Sequence, residues 1–140
     1  MEPTIYLTFR GNCLEAMTFY AKTLGGTTFD VFRNGDAPDA ESRMPGGDEL
    51  IMNMSLQLGD ATIMASDSPP DWYREPQGFS VSISPKSLAE VDRAYQALSQ
   101  DAKSIMMPLG ETFWAERFAM FTDRFGTPWM INYAGSRAPA

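Results

Sequence analysis

The sequence predicts an α+β fold made of two copies of one βαβββ module, and three observations carry that reading. The order strand, helix, strand, strand, strand runs through residues 4–67 and again through 79–133, which is an internal repeat. Each helical segment has a single apolar stripe, enough to cover one face of one sheet. The stretch 68–78 between the copies, beginning Ser68-Pro69-Pro70-Asp71, reads as a connecting linker. At 140 residues and 44% hydrophobic, the chain fits one domain able to bury its own core. With one helix per sheet, the uncovered faces are free to form a curved, partly open barrel-like mixed sheet around a cavity.

In the first copy, Thr4–Phe9 alternates Ile5, Leu7 and Phe9 with Tyr6 and Thr8, the period of a strand. Gly11-Asn12 ends it, and Asn12 with Glu15 three residues on has the spacing of a helix capping box. Leu14, Met17, Ala21 and Leu24 mark the buried stripe, and Gly25-Gly26 stops the helix. A strand over Thr27–Phe32 leads into Arg33–Asp48, a polar loop long enough to suggest function or mobility. Leu50–Leu58 and Ala61–Ser66 are strands joined by Gly59-Asp60 as a hairpin.

In the second copy, Phe79–Ser84 alternates as a short strand. A helix then begins either at Ser84-Pro85 or with Ser87 as its cap and Glu90 closing a capping box. Leu88, Val91, Ala94 or Tyr95, and Leu98 form its stripe. Lys103–Leu109 is a weaker strand, Glu111–Thr122 a longer one, Asp123–Gly126 a turn and Thr127–Tyr133 the last strand, followed by a frayed tail, GSRAPA.

Composition removes several classes of function. There is no histidine, hence neither the commonest metal ligand nor the usual partner of a catalytic serine or cysteine. A single cysteine excludes an internal disulfide and a thiolate zinc site. The net charge of −7 disfavours nucleic acid and anionic membrane surfaces. The start, MEPTIYLTFRGN, lacks the basic and apolar regions of a secretory signal, and no apolar run nears the ~20 residues that span a bilayer. A cytoplasmic protein is expected.

Three runs then point to a family: YLTFRGNCLEAMTFYAKTLGG (Tyr6–Gly26), LQLGDATIMASD (Leu56–Asp67) and FWAERFAMFTDRFGTPWMINY (Phe113–Tyr133). They resemble the vicinal oxygen chelate superfamily of glyoxalase I, extradiol dioxygenases and bleomycin-resistance proteins, and within it the PhnB-like branch. The resemblance implies a glyoxalase I-like fold and a homodimer, the latter also suggested by sheet edges that need cover. It implies as well a divalent metal held by one His, Glu or Gln from each of four strands. Those positions fall on Ile5, Met64, Phe79 and Met130, none of which offers a donor suited to Zn, Ni, Mn or Mg. The branch's histidine in the strand IMNMSLQL is replaced by Asn53. No metal and no other cofactor is expected.

The remaining candidates each have two readings. Cys13, beside a helix N-terminus, is either an activated thiol or a small residue in a first turn. Glu116 and Asp67 are either an acid/base pair at a cavity or, respectively, a strand-end carboxylate in water or paired with Arg10 or Arg117, and a turn-former bonding its own backbone. If Glu111–Thr122 is one strand, Trp114, Glu116, Phe118 and Met120 share a face. Met52, Met54, Met64, Trp72, Phe79, Trp114, Phe118, Met120 and Met130 are ordinary core or, as a group, the lining of a cavity for a flat apolar or aromatic molecule. Trp72, in a polar stretch, is the least explained by core packing. The expected function is metal-independent small-molecule binding, the alternatives an enzyme using Glu116 and Asp67 or a dimeric scaffold with no ligand.

Overall fold

Residues 1–138 are described by a computed structural model, and they form two four-stranded sheets, each with a helix on one face. The chain divides into two units, Met1–Arg74 and Glu75 onward, a division that falls inside the 68–78 stretch. Among the described residues no helix is long and apolar enough to cross a membrane.

The first unit contains β1 (Ile5–Phe9), α1 (Cys13–Leu24), β2 (Thr27–Arg33), β3 (Ile51–Leu58) and β4 (Ala61–Asp67). Its sheet order is β1-β4-β3-β2, with β1 parallel to β4 and the other pairs antiparallel. Helix α1 packs against β2, β3 and β4, and Leu7, Phe9, Met54, Leu56, Ile63 and Ala65 are buried on the sheet. The helix turns Cys13, Ala16, Met17 and Tyr20 inward and leaves Leu14 37% exposed, a face rotated from the predicted stripe. The small residues Cys13 and Ala16 allow close approach to the sheet, which simple counting of large apolar residues overlooks. The helix ends as predicted, with Gly25 left-handed at φ 76° and the N–H of Gly26 donating to the carbonyl of Ala21.

The Arg33–Asp48 loop holds short 3-10 turns at Asn34–Asp36 and Ala40–Ser42. It is organised around buried Asn34, whose amide nitrogen donates to the carbonyls of Met44 and Gly47 and whose oxygen accepts from the N–H of Met44. Polar composition predicts a loop here, and the buried asparagine gives it a fixed path.

The second unit contains β5 (Val81–Ile83), α2 (Leu88–Leu98), β6 (Ser104–Gly110), β7 (Arg117–Thr122) and β8 (Pro128–Tyr133) in the sheet order β5-β8-β7-β6. Helix α2 packs on β8, burying Val91, Ala94 and Leu98, and Tyr95 meets the buried Phe121 edge-to-face at 5.7 Å. Ser87, not Ser84-Pro85, caps it: the Ser87 hydroxyl accepts from the N–H of Glu90, and Glu90 in return accepts from the N–H of Lys86.

Two predicted strands shorten. Gly78 has φ 84°, and β5 begins only at Val81, so Phe79 lies before the strand. The expected strand Glu111–Thr122 starts at Arg117, because Thr112 and Ala115 close a turn through Thr112 N–H to Ala115 C=O at 3.0 Å and Ala115 N–H to Thr112 Oγ1 at 3.1 Å. Alternation therefore places Phe118 and Met120 on one face and does not extend to Trp114 or Glu116. The tail is not frayed through Arg137: Gly135–Arg137 is a 3-10 turn, and Arg137 pairs with Glu111 at 2.9 Å. The remainder of the tail, from Pro139, lies outside the described residues.

Candidate functional site

In the second unit, Trp129 and Ile131 of β8 and Ala119 and Phe121 of β7 are fully buried. Strand alternation sends their neighbours to the opposite face, where Met120 and Met130 are register partners. On that face lies a cleft of about 690 Å³ lined by Met120 and Thr122 of β7, Pro128 and Met130 of β8, Met106 of β6 and the segment Glu75–Ser80. Residues 75–80 reach it as a strap. Glu75 pairs at 3.7 Å with Lys103, just before β6, and residue 80 precedes β5, at the opposite edge of the sheet. The volume is that of a small-molecule site. Its wall is mainly thioether, aromatic and proline surface, and Glu75 is its one charged residue.

The sequence-predicted residues are not gathered into one site. Phe79 and Met130 line the cleft, as does Met120. Trp114 and Phe118 stand outside its lining in an aromatic stack: Phe113 meets Trp114 at 4.8 Å and Trp114 meets Phe118 at 5.2 Å, both edge-to-face. Glu116 is also outside it. Its carboxylate accepts from the N–H of Ser136, and its own N–H donates to the carbonyl of Ala134, so it holds the C-terminal turn. Arg117 donates to the backbone carbonyl of Glu116, not to its carboxylate.

Met52, Asn53, Met64, Asp67 and Trp72 belong to the first unit. Met64 is level with Tyr6 of β1 and Ser55 of β3, on the face away from α1, and the Tyr6 hydroxyl donates to the Asn53 side chain at 3.1 Å. Phe29 and Phe32 of β2, paired with Ser55 and Asn53, flank this face half-exposed. Met52 precedes Asn53 and by alternation lies on the other face. Trp72 is 76% exposed in a turn where its N–H donates to Pro69.

Asp67 is neither an open acid/base group nor a simple turn-former. It is buried at the end of β4, and its carboxylate accepts from the N–H groups of Gly11 at 2.9 Å, Cys13 at 3.0 Å and Ile51 at 2.9 Å. Asn12, predicted to cap α1, makes no such bond, and Asp67 supplies the cap from a distant strand. Asp123 plays a related part in the second unit, accepting from the N–H groups of Phe125 and Thr127 and from the indole of Trp129 at 2.8 Å. Cys13 is fully buried, and burial, with the Asp67 carboxylate adding to it, pushes its thiol far above the usual range.

The metal implied by the resemblance does not fit these residues. Ile5 aligns with Ile63 on the α1 side of its sheet, while Met64 is on the other side, so the two do not converge. Phe79 and Met130 bring a ring and a thioether, neither a ligand for a hard divalent cation. Among the described residues no three His, Cys, Asp or Glu side chains stand close enough together to hold a metal.

Sequence reasoning missed Met106, Glu75, Thr122 and Pro128 as lining residues. The only local signal was the Met106-Met107 pair in a weak strand, and nothing in the periodicity told which of the two would face inward.

Residues 6–131 match the family model for the Glyoxalase/Bleomycin resistance protein/Dioxygenase superfamily. The chain belongs to this superfamily. Among similar proteins, protein YjdN of Escherichia coli is 34% identical over 91% of each chain. The crystal structure of protein PA1353 from Pseudomonas aeruginosa is 41% identical, covers 95% of this chain and 97% of that one, and superposes with a TM-score of 0.84. A PhnB protein from Bacillus cereus, 24% identical over 96% of this chain and 100% of that one, shares the fold with a TM-score of 0.79.

Proposed function

We propose that this glyoxalase-superfamily protein is a small-molecule binding protein that holds an apolar or aromatic ligand without the divalent metal used by glyoxalase I-like members. The observation that carries this reading is the cleft on the second sheet, where Phe79, Met120 and Met130 supply an adaptable apolar wall. The net charge of −7 favours a neutral or cationic small molecule over a nucleic acid. In this reading the protein works in the cytoplasm as a homodimer, with a second copy covering a sheet edge. The edge strand β6 supports that part, since Ile105, Met106 and Met107 are exposed on it. An enzyme built on Glu116 and Asp67 has less support, because both carboxylates already hold backbone N–H groups.

Isothermal titration against a panel of aromatic metabolites and drugs, with chelator-treated protein, tests the proposal. Saturable one-to-one binding that chelator leaves unchanged is the expected result. Binding that appears only after a divalent metal is restored would overturn metal independence, and no binding across the panel would favour the scaffold reading.

A further inference from the structure

We propose that the thioether sulfurs of Met106, Met120 and Met130 form a site for a soft monovalent cation, Cu(I) or Ag(I), in the cleft of the second sheet. Met120 and Met130 are register partners on the adjacent antiparallel strands β7 and β8. Their Cβ atoms, directly opposite across the strands, are therefore about 5 Å apart. Each methionine has three rotatable bonds beyond Cα with which to adjust its sulfur. Two sulfurs bound to one ion at about 2.3 Å, the distance typical of metal–sulfur ligation, need to approach within a few ångströms of each other, which this register allows.

The third ligand comes from β6. Ile105 pairs with Phe121 and Met107 with Met120, so β6 advances two residues while β7 advances one. Ile105 is on the face of its partner, the buried Phe121, so alternation sends Met106 to the cleft face, and Met106 and Met107 together oppose Met120 in this bulge. Met106 lines the cleft together with Met120 and Met130. Three strands thus bring three soft donors to one wall.

The chemistry of the surroundings agrees. Thioethers select soft cations and are poor ligands for Zn(II) or Mg(II). Neither histidine nor thiol lines the cleft, and Glu75, its charged lining residue, is already paired with Lys103. The site does not depend on the organic ligand proposed above and stands even if none binds.

The test is silver titration calorimetry on the full chain carrying Cys13→Ala, which removes the thiol from the count, with Cu(I) affinity measured anaerobically by competition with bicinchoninate. One Ag(I) per chain is expected, with no heat from Zn(II). Met120→Leu and Met130→Leu, which conserve volume, should each weaken Ag(I) binding about tenfold or more. The Ag(I) titration and the aromatic panel are separate readouts on the same protein, so failure of this site is distinguishable from failure of the organic-ligand reading. Should Cys13→Ala not fold, Met ε-methyl NMR of the unaltered protein replaces it, with resonances assigned through the leucine variants. The methyls of Met106, Met120 and Met130 should then shift together on adding Ag(I). Full affinity in the double leucine variant, loss of all binding on replacing Cys13 alone, or methyl shifts confined to other methionines would overturn the proposal.

Discussion

The carboxylate of Asp67 accepts the backbone N–H of Cys13 at 3.0 Å, across 54 positions of sequence. That bond, with those from Gly11 and Ile51, ties the start of α1, the end of β4 and the start of β3 to one buried side chain. A negative charge at a helix N-terminus is also favoured by the helix dipole. Asp67→Ala leaves three backbone donors without their partner, those of Cys13 and Ile51 buried, and should cost about 3 kcal/mol in urea unfolding. Asp67→Asn keeps one acceptor oxygen and should cost distinctly less. An alanine variant as stable as the original protein would refute the brace.

Cys13 should be inert. Its folded-state thiol is held protonated by burial, whereas the unfolded thiol ionises near pH 8.5 or so. A raised folded-state value means the contribution to stability is complete below that pH and declines as pH rises above it, because only the unfolded chain releases the proton. Native protein at pH 8 should react with a disulfide reagent only at its rate of opening, and chemical unfolding should show stability falling above about pH 8.5 by up to about 1.4 kcal/mol per pH unit from this group. Rapid stoichiometric labelling of native protein would contradict this.

Gly135 and Glu116 should act as a structural pair. Gly135 has φ 51°, and a Cβ there would collide with the Glu116 carboxylate and the Tyr133 ring. Gly135→Ala should lower stability by about 1–3 kcal/mol in thermal or urea unfolding. Glu116→Gln keeps an oxygen for the N–H of Ser136. It should change stability by less than about 1 kcal/mol and leave ligand affinity unaltered. Loss of ligand binding in Glu116→Gln would return that carboxylate to the site.

Phe79 and Trp114 separate the cleft from the neighbouring aromatic stack. Phe79 lines the cleft and Trp114 does not. For any aromatic molecule found by calorimetry, Phe79→Ala should weaken binding by about 1–3 kcal/mol. Trp114→Ala should leave it near the original value. The reverse pattern would move the site to Trp114 and Phe118.

Light scattering at micromolar concentration should give twice the 15.5 kDa of one chain. A mass equal to one chain would remove the homodimer from the proposed function.

Both modules were legible in the sequence, because strand alternation, the Gly25-Gly26 stop and the Ser87–Glu90 cap are local signals read within a few residues. So was the lack of any histidine ligand, since a missing histidine is missing in any fold. What tertiary structure alone decided was which groups meet. Asp67 displaces Asn12 as the cap of α1 because β4 carries it to the helix end, a juxtaposition no local pattern encodes. Thr112 and Ala115 end the expected long strand through bonds to each other, which takes Trp114 and Glu116 off the face of Met120. Met106 and Met107 together oppose Met120 in a bulge whose position is set by pairing with the neighbouring strand, and of the two Met106 lines the cleft. Periodicity says which residues alternate, and only the pairing of distant strands says which of them converge.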